Sequence, residues 1–229
     1  MAREVALIVG AGAGLSASLA RLCAKEGMAV AVAARNTEKL EPLVKETGAK
    51  AFACDASEPT QVERLFADVS RDLGDPHLVV FNASQRVRGP VADLDPEAVW
   101  RAIHVTCFGG FLVGRAAARM MLTRGSGSIQ FTGASASVKG YANSATFAMG
   151  KFGLRGLAQS MARELAPKNI HVAHFVIDGG IAAAARPADG TPDRWLDPDA
   201  IAQTYLNVHR QHRSAWTWEV ELRPWVEAF

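Results

Sequence analysis

The stretch Val5-Ala6-Leu7-Ile8-Val9-Gly10-Ala11-Gly12-Ala13-Gly14-Leu15-Ser16 decides the fold. Its first five residues form an unbroken apolar run of strand length, as expected of a strand covered on both faces. Glycines then punctuate the chain, and a helical, amphipathic pattern over Ser16–Glu26 follows directly. A strand that turns through glycines into a helix aims the N–H groups of the helix start at one point above the strand. The positive end of the helix dipole makes that point suited to an anion such as a pyrophosphate. Gly10, Gly12 and Gly14 permit the turn and a close approach, with Leu15 and Ser16 opening the helix. A turn that serves only helix–strand packing is the other reading of the same glycines.

Working outward, strand-like runs at Val5–Val9, Ala29–Ala33, Ala51–Cys54, Leu78–Phe81, Ser128–Thr132, His171–Val176 and Trp218–Leu222 alternate with helix-length periodic stretches. The helical stretches lie near Ser16–Glu26, Glu38–Glu46, Pro59–Leu73, Pro96–Leu122, Ser144–Leu165 and Pro198–Gln211. Such alternation predicts an α/β fold with a doubly wound parallel sheet of about seven strands and right-handed crossovers. With 229 residues and no linker, repeat or low-complexity tract, one domain spanning 1–229 is expected. Ligands of these sheets sit outside the carboxyl ends of the strands, so the loops after strands are the candidate site. The irregular Ala182–Asp197 segment is expected to act as a lid.

The bulk numbers exclude several classes. Hydrophobic residues at 49% and charged residues at 21% suit a packed core. The 25 basic and 23 acidic residues are interspersed, which argues against nucleic acid as a partner. Cys23, Cys54 and Cys107 are widely spaced, which is neither a disulfide framework nor a metal pattern, and a reducing cytoplasm is expected. No run of 18 apolar residues and no signal-peptide architecture are read in the sequence, so no membrane partner is expected.

The second strand ends Ala33-Ala34-Arg35-Asn36. A carboxylate there would favour a free ribose 2′-hydroxyl, whereas a guanidinium suits a 2′-phosphate, so Arg35 points to NADP(H) over NAD(H). A methyltransferase-like glycine loop is the rival, but it calls for an acidic residue at this strand end. The glycine loop departs from the dinucleotide fingerprint in having Leu15 at its sixth position.

It resembles instead the loop of the short-chain dehydrogenase/reductase family, with Gly10 and Gly14 matching and Val9 and Ser16 replacing Thr and Gly. Further segments of that family follow in order. Asp55 with Ala56 resembles the adenine-contacting position after the third strand, and Asn82 with Ala83 the Asn-Asn-Ala-Gly segment after the fourth. Met149-Gly150-Lys151-Phe152-Gly153-Leu154 resembles the long central helix, and Gly179 with Ile181 the segment that faces the nicotinamide, where Asp178 replaces proline. The resemblance implies a Rossmann fold, a nicotinamide cofactor, a small-molecule substrate, and a homodimer or homotetramer paired through a flat face of small residues.

The same resemblance exposes a gap. The family's proton-handling Tyr stands four residues before its Lys; Lys151 matches the Lys, and Phe147 stands at the Tyr position. Ala134 stands at the Ser position and Thr106 at the Asn position. Tyr141 and Ser135 are the substitutes nearest in sequence, Lys151 keeps at least a ribose-holding role, and Phe147 makes the pocket floor more apolar. The expected activity is therefore hydride transfer between NADP(H) and a small apolar carbonyl or alkene, with nonstandard proton transfer. The competing expectation is a cofactor-binding protein without redox catalysis, acting as a regulator or oligomer partner.

Overall fold

A computed structural model describes residues 3–183 and 190–227. Seven parallel strands run in the order β3-β2-β1-β4-β5-β6-β7: β1 Val5–Val9, β2 Ala29–Ala34, β3 Lys50–Ala53, β4 Leu78–Phe81, β5 Gly127–Thr132, β6 Ile170–Ile177 and β7 Glu219–Leu222. The central strands are apolar throughout because both faces are covered: β1 and β4 are buried at every position. β3 at the edge is only half-buried and starts at Lys50, where Ala51 was expected. Its opposite edge, β7, starts at Glu219, one residue inside the expected strand.

On one face of the sheet lie α3 (Pro59–Leu73), α5 (Gly109–Arg124) and α6 (Ala145–Leu165), packed through Leu65, Phe66, Leu112, Val113, Leu154 and Ala158. On the other lie α1 (Leu15–Lys25), α2 (Glu41–Thr47) and α7 (Pro198–His209), packed through Leu19, Leu43, Ile201 and Tyr205. The crossovers diverge between β1 and β4, which opens a crevice above their carboxyl ends.

The stretch expected as one helix over Pro96–Leu122 is α4 (Pro96–Ile103), a wider π-helical turn over His104–Phe108, then α5. Asp95 caps α4 by accepting from the Glu97 and Ala98 amides. Among the described residues this Pro96–Arg124 helix alone is long and apolar enough to cross a membrane, and it is packed here against α3 and α6. The expected lid is bridged at its base, with Ile181 paired to Leu196 and the Ala182 amide donating to the Leu196 carbonyl at 2.8 Å. Its residues 184–189 lie outside the described residues.

Candidate active site

Above the carboxyl ends of β1, β2 and β4 lies a cavity of about 450 Å³, lined by Gly10, Gly12, Arg35, Lys39, Asp55 and Asn82 among others. The glycine turn is drawn tight against the sheet: the Gly10 and Ala11 amides donate to the Ala33 carbonyl at 3.0 and 2.9 Å. Gly10 has φ +85°, and a Cβ there would stand 2.4 Å from the Ala83 nitrogen, so no other residue fits. Around Gly12 and Gly14 a Cβ would meet nothing within 4 Å, leaving open space above the turn. Gly14 caps α1 without a side-chain bond, its carbonyl accepting from the Ala17 and Ser18 amides at 2.8 and 3.3 Å. This cradle fits the pyrophosphate of a dinucleotide.

Ser16, at the opening of α1, turns inward: its side chain is buried, donating to the Gly10 carbonyl at 3.2 Å and accepting from Asn82 Nδ2 at 2.7 Å. Ser16 thus ties the glycine turn to the β4 loop from beneath. Gly14, Leu15 and Ser16 line neither this cavity nor the next, and Leu15 packs into the core.

At the far end of the groove Arg35 and Lys39 place two cations together. Asp55 lies beside them with Ala56. Burial opposes ionisation of Asp55, but bonds from the Ser57 hydroxyl at 2.6 Å and amide at 3.0 Å, with Arg35 and His104 nearby, hold its carboxyl below the usual range.

A second cavity of about 690 Å³ adjoins the first, and Asn82 and Ser84 line both. Its wall includes Lys151, Phe147, Tyr141, Gly179, Ile181 and two arginines, Arg86 and Arg88. Lys151 is buried, its Nζ donating to the Thr132 carbonyl at 2.6 Å. Burial first, and the Arg86 guanidinium second, push its ammonium from 10.5 down to about 7. Phe147 is sandwiched between these cations: the Arg86 guanidinium carbon lies 3.7 Å from the ring centroid and Lys151 Nζ 5.7 Å from it. The floor expected to be apolar is therefore capped by charge.

Each of the other unusual positions is stitched into the fold. Thr106, in the π-turn, accepts from the Gln85 amide at 3.0 Å. The methyl of Ala134 lines the cavity while its amide donates to Ser137 Oγ at 3.1 Å. Ser137 reaches His174 Nε2 at 3.3 Å, and His174 Nδ1 reaches Glu219 Oε2 at 3.1 Å, which Arg155 grips with two bonds of 2.6 and 2.7 Å. Burial drives His174 down to about 4, so a neutral ring donates through Nδ1 and accepts through Nε2. This Ser-His-Glu chain resembles a nucleophilic triad, yet Ser137 is fully buried and lines neither cavity, so it acts as a strut.

Ser135 lines the cavity near Asp178; burial opposes ionisation of that carboxyl, but the Ser135 hydroxyl, Lys139 at 3.2 Å and Arg223 at 2.8 Å hold it below the usual range. Tyr141 is half exposed at the cavity wall. Gly179 is required by the C-terminal tail, since a Cβ would strike Pro224 at 2.7 Å. Trp216, stacked on His171 at 4.6 Å, and Trp218, beside Arg155, pack against their own chain, and Trp225 is exposed.

The sequence profile of the short chain dehydrogenases matches residues 4–188. The chain belongs to that family. A short-chain dehydrogenase from Rhodopseudomonas palustris superposes with a TM-score of 0.84 at 37% identity, over 97% of this chain and 99% of the other. A metagenomic short-chain oxidoreductase in complex with NADP gives 0.85 at 26% identity, with 98% of each chain covered. The 3-oxoacyl-[acyl-carrier-protein] reductase of Homo sapiens is 29% identical over 171 residues, 74% of this chain and 72% of its own length. The short-chain dehydrogenase frame accounts for the seven-stranded sheet and identifies this chain as an oxidoreductase of that family.

Sequence reasoning missed Lys39, Arg86, Arg88 and the Asp178 hub. The signal for the arginines was present: Ser84-Gln85-Arg86-Val87-Arg88 directly follows a strand end, where ligand-binding loops lie.

Proposed function

We propose that this chain is an NADP(H)-dependent oxidoreductase acting on a small carbonyl or alkene, with the proton handled by Lys151 in place of the family's Tyr. The carrying observation is the continuity of two cavities through Asn82 and Ser84, one ending in Arg35 and Lys39 and the other holding Lys151. A paired guanidinium and ammonium suit a 2′-phosphate better than a bare ribose. The NADP complex of the metagenomic relative supports the same cofactor.

Bound in this groove, a reduced nicotinamide supplies a hydride to a substrate carbon. The chain's own residues do the rest. The turn through Gly10, Ala11, Gly12 and Ala13 would hold the pyrophosphate, Asp55 and Ala56 would flank the adenine end, and Gly179 with Ile181 would border the nicotinamide end. Lys151, fixed by Thr132, presents an ammonium whose pKa of about 7 suits proton donation near neutrality, directly or through one water. Tyr141 supplies a phenol on the same wall.

The aromatic ladder Trp100, His104, Phe108, Phe111, with ring centroids 5.2, 4.6 and 5.9 Å apart, leaves apolar surface exposed beside Met149 and Phe152. It supports pairing of two copies, checked by light scattering. The function is tested by titrating NADPH and NADH, then following NADPH oxidation across carbonyls and activated alkenes. Tighter NADPH binding with turnover is expected; demonstrated NADPH binding without turnover above background on any substrate refutes the activity.

A further inference from the structure

Three cations converge on the larger cavity. Lys151 stands on its inner wall, and Arg86 and Arg88, two residues apart on the loop after β4, line its other side. Among the described residues, no carboxylate lines that cavity. Asp178, between the lining residues Ile177 and Gly179, is paired with Lys139 and Arg223.

The arginine loop is held in place. The Gln85 amide donates to Thr106 Oγ1 at 3.0 Å on one side of Arg86, and the Gly89 amide to the Asn143 carbonyl at 3.2 Å beyond Arg88. The Arg86 guanidinium carbon itself lies 3.7 Å from the centre of the Phe147 ring, a cation–π contact that positions a group whose forked N–H donors match an oxyacid.

This arrangement has a cost that a ligand relieves. Arg86 and Lys151 flank one ring as like charges, and part of the depression of Lys151 comes from Arg86. An anion seated on the arginines offsets that repulsion and favours the ammonium form of Lys151, the form that donates a proton. Phe147 then serves as the platform of an anion site at the position where relatives hold a phenol.

We propose that the cavity takes a carbonyl substrate carrying an oxyacid group, carboxylate or phosphate, gripped by Arg86 and Arg88 while its carbonyl faces Lys151. The proposal rests on the oxidoreductase reading above and names its substrate class. It is tested on the protein saturated with NADP⁺ or NADPH, with levulinate, hydroxyacetone phosphate and the neutral methyl levulinate as probes.

Calorimetric binding to the NADP⁺ complex and NADPH oxidation are measured for the native chain, Arg86→Gln and Arg88→Gln. The two anionic probes are expected to bind at least about tenfold tighter than the neutral ester, and each substitution is expected to weaken them roughly 10- to 100-fold while leaving the ester and NADPH affinity unchanged. The preferred probe identifies carboxylate or phosphate. Equal binding or turnover of ester and acid, or anion binding indifferent to both substitutions, overturns the anion site while leaving the oxidoreductase reading intact. Anion binding that needs both arginines without any turnover supports the anion site and counts against the oxidoreductase reading. Loss of NADPH affinity in Arg86→Gln, with no selective loss of the anions, assigns the loop to the cofactor and also overturns it.

Discussion

Replacing Lys151 with Met should change how stability depends on pH in a way that no surface lysine would. Lys151 is 2% exposed, and its pKa falls from 10.5 to about 7 on folding. The unfolded chain keeps the proton up to 10.5 while the folded chain releases it near 7, so between those values the unfolded state binds more protons and stability rises with pH. The penalty is full below about pH 7 and gone above the unfolded value. Its slope within the window approaches about 1.4 kcal/mol per pH unit. Integrated from about pH 7 to about pH 9, the native chain should gain about 2 kcal/mol over Lys151→Met. His174, at about 4, titrates outside that window.

The assay is urea unfolding of both cofactor-free proteins at the two pH values, with the slope against denaturant checked for constancy. At neutral pH the variant should also be the more stable of the two, less the roughly 1–3 kcal/mol lost by orphaning the Thr132 carbonyl. The difference between the two pH values is free of that term, because the carbonyl is orphaned at both. Parallel pH curves for the two proteins would refute the assignment of Lys151 as a buried, depressed ammonium.

Gly10→Ala forces a Cβ to within 2.4 Å of the Ala83 backbone at φ +85°, and should destabilise the chain by about 2–4 kcal/mol and abolish NADPH binding, read by thermal melts with and without cofactor. Arg35→Ala with Lys39→Ala should weaken NADPH roughly 10- to 100-fold and leave NADH within about threefold, read by fluorescence titration; equal losses for both would undo the 2′-phosphate assignment. Glu219→Gln removes the charge held by Arg155 and leaves one acceptor oxygen where two serve Arg155 and His174; as the pair is partly exposed, a loss of about 1–2 kcal/mol, or roughly 2–8 °C in Tm, is expected, and no change would remove the strut from the account of the Ala134 loop.

Legibility in the sequence followed the physics of each feature. The buried strands could be read because a parallel sheet covered on both faces needs uninterrupted apolar runs, as in Val5–Val9 and Leu78–Phe81. The glycine turn could be read because only glycine satisfies the Gly10 backbone. Edges were less legible, since β3 and β7 are half-exposed and their alternation blurs the first residue. The π-turn at His104–Phe108 left no mark, because a widened turn changes register without changing composition. What sequence spacing could not supply was partnership across the fold: that Asp178 pairs with Lys139 and Arg223, that Ser16 turns inward, and that Arg86 lies on Phe147.

Those partnerships bear on whether the altered catalytic positions mark decay or adaptation. Were Thr106, Ala134 and Phe147 the remnants of the Asn, Ser and Tyr that the family resemblance implies at those positions, simple decay would leave their surroundings with orphaned polar groups, as at the buried Thr146 hydroxyl. Instead Thr106 satisfies the Gln85 amide, Ser137 satisfies the Ala134 amide and is itself braced by His174 and Glu219, and Phe147 carries a guanidinium on its face. Lys151, meanwhile, is kept buried at a cost of several kcal/mol that a methionine would avoid, in a position that lines the cavity. A chain that binds nothing at this cavity has no reason to retain a destabilising ammonium beside a second cation, so the retention of Lys151 argues for a ligand at this wall, cofactor ribose or substrate.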